Sequence, residues 1–240
     1  ALPQLYWLPR LTSSDENSVQ QAGAQRYAAE YGVAIVATDT SPRGDKVPDD
    51  PQGSWDFGLG AGFYVNATED PWRVNYRMYD YITEEIPALI AANFPIRPEL
   101  SAIFGHSMGG HGALTIALRN PDRYRSVSAF SPIVAPTQCP WGNKALSNYL
   151  GDDIEKWKNY DSCELIRAGA QQLPMLVDQG EADDFLTEQL RTELLESACN
   201  DTGYEATIRR QEGYDHSYFF IASFVGSHIA FHARELARTG

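Results

Sequence analysis

The sequence predicts an α/β fold with a mostly parallel, doubly wound sheet and helices on both faces of that sheet. The first observation is that short apolar, β-branched runs alternate with longer segments of helical periodicity over the 240 residues. The second is the run VAIVAT at 33–38, which is apolar throughout and therefore indicates a strand buried on both faces. With 43% hydrophobic residues, the chain is predicted to form a single domain over residues 1–240.

The predicted elements follow one another in a regular order. Strands are predicted at 4–8, 33–38, 101–104, 126–130, 175–179 and 205–210. Helices are predicted at 19–31, 73–93, 109–118, 185–199 and 218–237, the first capped by Ser18 and the second kinked at Pro87. The stretches 41–71 and 132–161 are rich in loops, the second with short helical pieces near 144–150 and 154–160, and loops of that length usually carry function. Ligands of such sheets bind beyond the carboxyl ends of the strands, so we expect the functional residues directly after strands.

Composition and charge disfavour several classes of partner. The formal net charge of −13 repels phosphate backbones and anionic lipid, which argues against nucleic acid and membranes. Cys139, Cys163 and Cys199 have no zinc-binding spacing, and their odd number indicates free thiols in a reducing compartment. Neither a secretory leader pattern nor an apolar run of membrane-spanning length is visible. We therefore expect a cytoplasmic protein without a metal site.

Residues 105–109 read GHSMG, a G-x-S-x-G motif between an apolar strand and a glycine-rich helix. A serine on such a sharp strand-to-helix turn exposes its Oγ atom above the sheet, and the glycines let strand and helix approach each other. The context predicts Ser107 as a nucleophile. It also predicts that the Met108 amide, at the helix N-terminus, stabilises an oxyanion. The alternative is a glycine-rich packing turn with an idle serine.

The histidines after this motif differ in position. In this kind of site the chain order is serine, then a carboxylate, then histidine. His216 lies in the loop between the last strand and the last helix, and it is predicted to be the general base. His228 and His232 are four residues apart in the terminal helix, where a solvated helix face is expected for both. His111, in the helix of the motif, is expected to be a packing residue.

The acid is expected after the strand at 175–179. Asp178 lies within that strand, and Glu181 follows Gly180 too closely to curl back over the strand end. Asp183 is predicted to orient the histidine because it lies in the loop directly before the next helix; Asp184 remains as the alternative or as a helix cap. Ser107, Asp183 and His216 would then form a catalytic triad for acyl transfer, which needs no cofactor.

Six segments spread over the chain resemble the S-formylglutathione hydrolase (esterase D) family of the α/β-hydrolase superfamily: TDTSPRGDKVPDD (38–50), GAGFYVNATEDPW (60–72), IFGHSMGGHGAL (103–114), SPIVAPTQCPWG (131–142), DQGEADDFL (178–186) and EGYDHSYFFI (212–221). The resemblance implies a serine thioesterase that hydrolyses S-formylglutathione to glutathione and formate in formaldehyde detoxification. It also implies side activity on short-chain acyl esters, a cytoplasmic location and a homodimer. The family's nucleophile, acid and base fall on Ser107, Asp183 and His216, and its oxyanion donors fall on the amides of Met108 and Leu11.

Two features depart from the family pattern. Family members usually begin with further residues that form antiparallel strands, so this α/β-hydrolase fold is expected to lack those N-terminal edge strands. The strand at 4–8 would then lie at an unprotected sheet edge. In the oxyanion loop, Arg10 replaces the usual glycine and Pro9 the serine before it, which removes access to positive φ and one amide donor.

Aromatic residues of the two long loops are candidates for the walls of the substrate pocket, with ordinary loop packing as the alternative: Trp55, Phe63, Trp72 and Trp141. The cations Arg10, Arg43 and Lys46 are candidates to compensate the charge of a glutathione leaving group. Two other functions stay open at this point. One is a general short-chain carboxylesterase, and the other is a catalytically impaired binding module on a hydrolase scaffold.

Overall fold

The computed structural model describes residues 1–238. Its six strands are β1 (Leu2–Leu8), β2 (Ala34–Ala37), β3 (Ile96–His106), β4 (Val127–Phe130), β5 (Met175–Gly180) and β6 (Thr207–Gln211). They form one sheet in the order β2-β1-β3-β4-β5-β6, and every neighbouring pair is parallel. The predicted parallel α/β-hydrolase sheet is therefore confirmed.

Helices cover both faces of this sheet. They are α1 (Asp15–Gln21), α2 (Ala24–Tyr31), α3 (Met78–Asp80), α4 (Ile86–Asn93), α5 (Met108–Arg119), α6 (Pro140–Leu150), α7 (Ile154–Trp157), α8 (Ser162–Arg167), α9 (Thr192–Thr202) and α10 (Tyr218–Ala237). Within residues 1–238, no helix is both long and apolar enough to cross a bilayer.

Two apolar cores lie on opposite faces of the sheet. Successive side chains of a strand point to opposite faces, so neighbouring residues of β1 enter different cores. Leu5 and Trp7 pack in the core that contains apolar residues of α2 and α10. Tyr6 and Leu8 pack in the larger core, which contains apolar residues of α5 and α8. Burial on both faces explains why the central strands are apolar throughout.

The first predicted helix is in fact two helices. Gly23 adopts φ +65°, a left-handed conformation, and interrupts the helical path between α1 and α2. The cap of α1 is Ser14, and Asn17 accepts the Ser14 amide at 2.8 Å in a capping box. The prediction of Ser18 as the cap is wrong, because Ser18 lies inside α1 and donates to the carbonyl of Asp15.

Two other predicted helices contain π-helical turns. The helical stretch predicted at 73–93 begins at Met78 and passes through a π-helical turn, Tyr81–Glu85, into α4. Pro87 follows shortly after this π-helical turn, and such a turn accommodates a residue that lacks an amide donor within a continuous helical path. The stretch predicted at 185–199 is divided at Arg191, whose φ of +55° separates the π-helical turn Leu186–Leu190 from α9.

The prediction that the strand at 4–8 forms the sheet edge is wrong. β1 lies inside the sheet, with Gln4 beside Ala34 of β2 on one side and Ser101 of β3 on the other. The edge on that side is β2, a short strand of intermediate burial. β1 takes the interior position because Leu5, Tyr6, Trp7 and Leu8 are all buried, which an edge strand does not provide.

The long loops are held by aromatic packing. The rings of Phe57 and Trp72 lie 4.7 Å apart between centroids, and those of Tyr76 and Tyr149 lie 5.3 Å apart and stacked. The Tyr149 hydroxyl donates to the carbonyl of Ala61 at 2.8 Å. Contacts of this kind fix the stretch 41–71 over the larger core without regular secondary structure.

The sheet order creates a crevice between β1 and β3. The chain passes from β1 outward to β2, and then resumes at β3 on the other side of β1. Such a switch point separates the loops at the carboxyl ends of two adjacent strands and opens a space between them. The loop after β1, which begins at Pro9, and the turn after β3, which contains Ser107, both lie at this point.

Candidate active site

Ser107 occupies the sharp turn between β3 and α5. Its φ of +59° and ψ of −115° lie in a region that non-glycine residues rarely adopt. Such a conformation costs on the order of 1–3 kcal/mol and persists only where neighbouring contacts impose it. Here the Ser107 amide donates to the carbonyl of Phe130 at 2.9 Å, and the His111 amide donates to the carbonyl of Ser107 at 2.9 Å.

The glycines of the motif permit this turn sterically. A Cβ atom at Gly105 would overlap the carbonyl of Gly109, and one at Gly109 would overlap the carbonyl of Leu8. The obstructing atoms are backbone atoms, which cannot rotate away as a flexible side chain does. α5 therefore approaches β1 and β3 closely only because both positions lack a side chain.

Gly109→Ala is expected to destabilise the fold by about 3 kcal/mol, because the added methyl displaces backbone of the loop after β1. Urea denaturation measures this loss. Gly23→Ala is the matched control, since Gly23 has open space around a Cβ position and only its positive φ opposes the change, at a cost of roughly 1 kcal/mol. Equal losses in the two variants would contradict the close approach at Gly109.

Asp183 and His216 are brought together by two loops. The Nδ1 atom of His216 lies 2.6 Å from Oδ2 of Asp183, and the second carboxylate oxygen accepts the Phe185 amide at 2.9 Å. The Ala182 amide donates to the carbonyl of Tyr214 at 3.0 Å, which ties the loop after β5 to the loop after β6. An ionised carboxylate only accepts, so Nδ1 of His216 carries the proton and Nε2 is left free to accept one.

The other carboxylates weighed for the acid lie elsewhere. Asp184 is exposed, and the Phe185 amide donates to Asp183 rather than to Asp184. Asp178 is fully buried in β5, where Arg209 Nε donates to it at 2.6 Å and His228 Nε2 lies 3.0 Å away. Burial raises the pKa of Asp178, but the hydrogen bonds from His228 and Arg209 outweigh it and lower the pKa to about 2.

The prediction of a solvated face for His228 and His232 is wrong, because both side chains are fully buried. His228 Nδ1 lies 2.8 Å from the Ser128 hydroxyl, and His232 lies between Ser126 and Ser128 at 2.7 Å from each. α10 therefore packs against the sheet with the side that carries His228 and His232. His228 and His232 lie three and seven residues after the apolar Val225, which places them on the same side of the helix. This spacing is a sequence signal that could have indicated their burial.

His106 forms a neutral wall against His216, and no function was assigned to it from the sequence. The two rings lie 4.5 Å apart between centroids. His106 is fully buried, and neither of its ring nitrogens has a hydrogen-bond partner within residues 1–238. Burial lowers the pKa of His106 well below its ordinary value, and the positive charge of Arg10 and of His216 when it is protonated acts in the same direction.

The predicted oxyanion donors lie on the two segments that border the crevice. Met108 is the first residue of α5, where an amide has no acceptor within the helix. The Leu11 amide likewise donates to no acceptor among the described residues. The loop is fixed by the Tyr64 hydroxyl, which donates to the carbonyl of Pro9 at 2.9 Å. Positive φ in this loop occurs at Thr12 rather than at Arg10, so Arg10 carries none of the strain expected from the missing glycine.

A cleft of about 710 Å³ opens beside His216. Its polar and charged lining is Arg10, Gln21, Asp184, Asp215, His216 and Ser217, and its apolar and aromatic lining is Phe185, Tyr218, Phe219 and Ala222. Phe185 meets His216 edge-on, with the ring centroids 5.1 Å apart. Phe185, Phe219 and Tyr218 were not singled out from the sequence, because nothing local distinguishes a cleft-lining aromatic residue from a core one.

The aromatic candidates for the pocket occupy different environments. Trp55, which is 53% exposed, packs edge-on against Trp141, and Trp141 packs against Phe185. These rings therefore extend the wall that begins at His216. Phe63 does not line the cleft, because its side chain is fully buried beside the ring of His111. Trp72 belongs to the aromatic packing under the long loops.

The side chains that could ligate a metal ion form no cluster in the described part of the chain. Within residues 1–238, no group of three or more histidine, cysteine or acidic side chains is arranged to hold a metal ion. Cys139, Cys163 and Cys199 are free and buried, and burial raises the pKa of the Cys139 thiol to about 11.

Comparisons with known proteins agree with the resemblance seen in the sequence. A family model described as "Putative esterase" matches residues 1–231. The S-formylglutathione hydrolase of Mus musculus is 54% identical over 236 residues, which make up 98% of this chain and 83% of that protein. A solved S-formylglutathione hydrolase from Agrobacterium tumefaciens has a TM-score of 0.96 at 48% identity, covering 98% of this chain and 85% of that chain. A serine hydrolase of Staphylococcus aureus, 18% identical, shares the fold with a TM-score of 0.75 over 97% of this chain and 84% of that one. The chain therefore belongs to the S-formylglutathione hydrolase family of esterases.

Proposed function

We propose that this chain hydrolyses S-formylglutathione to glutathione and formate, with Ser107, His216 and Asp183 as the catalytic triad. The observation that carries the proposal is the 2.6 Å bond between Asp183 and His216, whose ring lies 4.5 Å from that of His106, the residue directly before the strained Ser107 turn. The 54% identity to a mouse S-formylglutathione hydrolase supports the choice of substrate. An intact acid–base pair argues against a catalytically impaired binding module.

Acylation begins when Nε2 of His216 removes the proton of the Ser107 hydroxyl. The Ser107 oxygen then attacks the formyl carbon of the thioester, and the negative charge moves to the carbonyl oxygen. The amides of Met108 and Leu11 are the proposed donors to that oxyanion, and Asp183 stabilises the imidazolium of His216. When the intermediate collapses, the carbon–sulfur bond breaks and the thiolate of glutathione takes the proton from His216.

Deacylation repeats the sequence with water. His216 removes a proton from the water molecule, whose oxygen attacks the formyl ester of Ser107. Collapse of the second intermediate breaks the ester bond, returns the proton to the Ser107 oxygen and releases formic acid, which loses its remaining acidic proton to solvent and becomes formate. The same two steps can act on short-chain acyl esters. The proposed side activity therefore needs no further residues and no cofactor.

The proposal also includes the cellular location and the oligomeric state of the enzyme. The free, buried thiols of Cys139, Cys163 and Cys199 fit a reducing compartment, and on this ground we place the enzyme in the cytoplasm. The homodimer rests on the family resemblance alone. Sedimentation of the purified chain tests it directly, and a monomer at all concentrations would remove it from the proposal.

The substrate is tested by comparing kcat/KM for S-formylglutathione and for p-nitrophenyl acetate under the same conditions. We expect the thioester to be preferred at least about tenfold after correction for intrinsic reactivity, because only the thioester offers glutathione to the cleft. The Ser107→Ala variant supplies the background rate. A preference for p-nitrophenyl acetate would instead favour a general short-chain carboxylesterase.

A further inference from the structure

The cleft beside His216 contains a cation that no described residue neutralises. Arg10 lies two residues after β1 and lines the cleft together with His216. Within residues 1–238 it forms no ion pair, and its Nε atom is buried without a hydrogen-bond partner. The guanidinium carbon lies 5.7 Å from the centroid of the Tyr218 ring. The two terminal nitrogens of the guanidinium also have no partner among the described residues, and unlike Nε they are not buried. They are therefore the donors that a ligand in the cleft can reach.

The other two candidate cations do not have this property. Arg43 donates twice to Asp39, at 2.8 and 2.9 Å, and also reaches the carbonyl of Ser13. A substrate carboxylate would have to displace Asp39 to bind there. Lys46 is exposed and lies outside the lining of the cleft. Of the three, Arg10 alone combines a place in the cleft with unused donors.

The cleft also carries negative charge. Asp184 and Asp215 line it beside Arg10. The hydroxyl and the amide of Ser217 donate to Asp215 at 2.6 and 3.0 Å, and these bonds lower the pKa of Asp215 and keep it ionised. One cation beside two anions suits a ligand that carries charges of both signs. A peptide with a free carboxylate and a free ammonium group can place the carboxylate at Arg10 and the ammonium group at one of the two aspartates.

We propose that Arg10 binds a carboxylate of the peptide leaving group and thereby favours peptide thioesters over neutral esters. The inference rests on the proposed function. A guanidinium pairs with a carboxylate through two parallel hydrogen bonds, which a compact ammonium cannot reproduce. Because Arg10 directly precedes Leu11, the loop that holds the leaving group is the same loop that presents the proposed oxyanion donor.

The test uses two ligands that lack an ester or thioester bond, S-methylglutathione and its diamide, as inhibitors of p-nitrophenyl acetate hydrolysis. The two differ in their carboxylates and share the rest of the peptide. We expect the wild type to bind the free acid about tenfold more tightly than the diamide, as for one charge-assisted contact. Arg10→Gln is expected to remove this difference, and Arg10→Lys to restore part of it. Arg97→Gln is the charge-matched control, because Arg97 lies at the opposite end of β3.

The ratio of the two inhibition constants isolates the charge contact from any effect of Arg10 on the oxyanion loop, since such an effect weakens both ligands or changes kcat. Unchanged discrimination in Arg10→Gln would overturn the inference, and so would a wild type that binds neither ligand. Turnover of S-formylglutathione is measured separately. A wild type that discriminates through Arg10 but prefers ester substrates would refute the proposed function and leave the Arg10 contact standing.

Discussion

Ser107→Ala is expected to lower kcat for ester and thioester hydrolysis by about a million-fold, and His216→Ala by a similar factor. In the proposed mechanism, the alanine at 107 removes the attacking oxygen, and the alanine at 216 removes the group that takes its proton. The two act as one unit, so the double variant is expected to be no slower than either single variant. Burst kinetics with p-nitrophenyl acetate, together with labelling of the serine by a fluorophosphonate, measure these losses.

The acid has its own matched pair of variants. Asp183→Asn is expected to lower kcat by about ten-thousand-fold, because the amide stabilises the wrong tautomer of His216 and no longer balances the imidazolium. Glu181→Gln is the control: Glu181 lies two residues earlier in the same loop, and its side chain is exposed. Thermal unfolding shows whether each variant is folded. If Asp183→Asn kept near wild-type turnover while Asp184→Asn lost it, the assignment of the acid would move to Asp184.

The second large effect is acid unfolding. Four histidines are fully buried: His106, His111, His228 and His232. Burial lowers the pKa of each in the folded chain, that of His111 to about 4, whereas an unfolded histidine titrates near about 6.5. Below about pH 6.5 the unfolded chain therefore takes up protons that the folded chain does not. The free energy of unfolding falls by about 1.4 kcal/mol per pH unit for each histidine that is still neutral in the folded chain.

For His111 alone, the loss between about pH 6.5 and 4 amounts to roughly 3 kcal/mol. A domain of ordinary stability, about 5–15 kcal/mol, is then expected to unfold between roughly pH 5.5 and 4. Asp178 adds nothing in this window. Its pKa is lowered to about 2, so its contribution is complete above the unfolded pKa and is lost only as the pH falls below about 4.

Urea midpoints, followed by tryptophan fluorescence from about pH 8 to 5, give the number of protons taken up on unfolding. We expect this number to approach three, from His106, His111 and His232, with a smaller addition from His228, where the bond to Asp178 opposes the effect of burial. His111→Gln is expected to remove about one proton from the slope whatever it does to the stability at neutral pH. A stability that stays constant between pH 6.5 and 5 would show that the buried histidines are protonated in the folded chain.

The sequence by itself determined the parallel α/β fold, the strand-to-helix turn at Ser107 and the short set of candidates for acid and base. These features are local. The alternation of apolar runs predicts strands and helices, and the glycines around Ser107 meet a steric demand that arises within a few residues. The family segments added the substrate class, since each is a contiguous stretch of sequence.

Only the tertiary structure decided which side chains meet. Asp183 and Asp184 are neighbours in the chain, yet the packing of two loops brings only Asp183 to His216. The burial of His228 and the place of β1 inside the sheet likewise depend on which elements pack together. Whether the guanidinium of Arg10 finds a hydrogen-bond partner likewise depends on which distant residues the fold brings next to it. Contacts between distant residues carry no local pattern, because their energy comes from burial and pairing that exist only after the chain has folded.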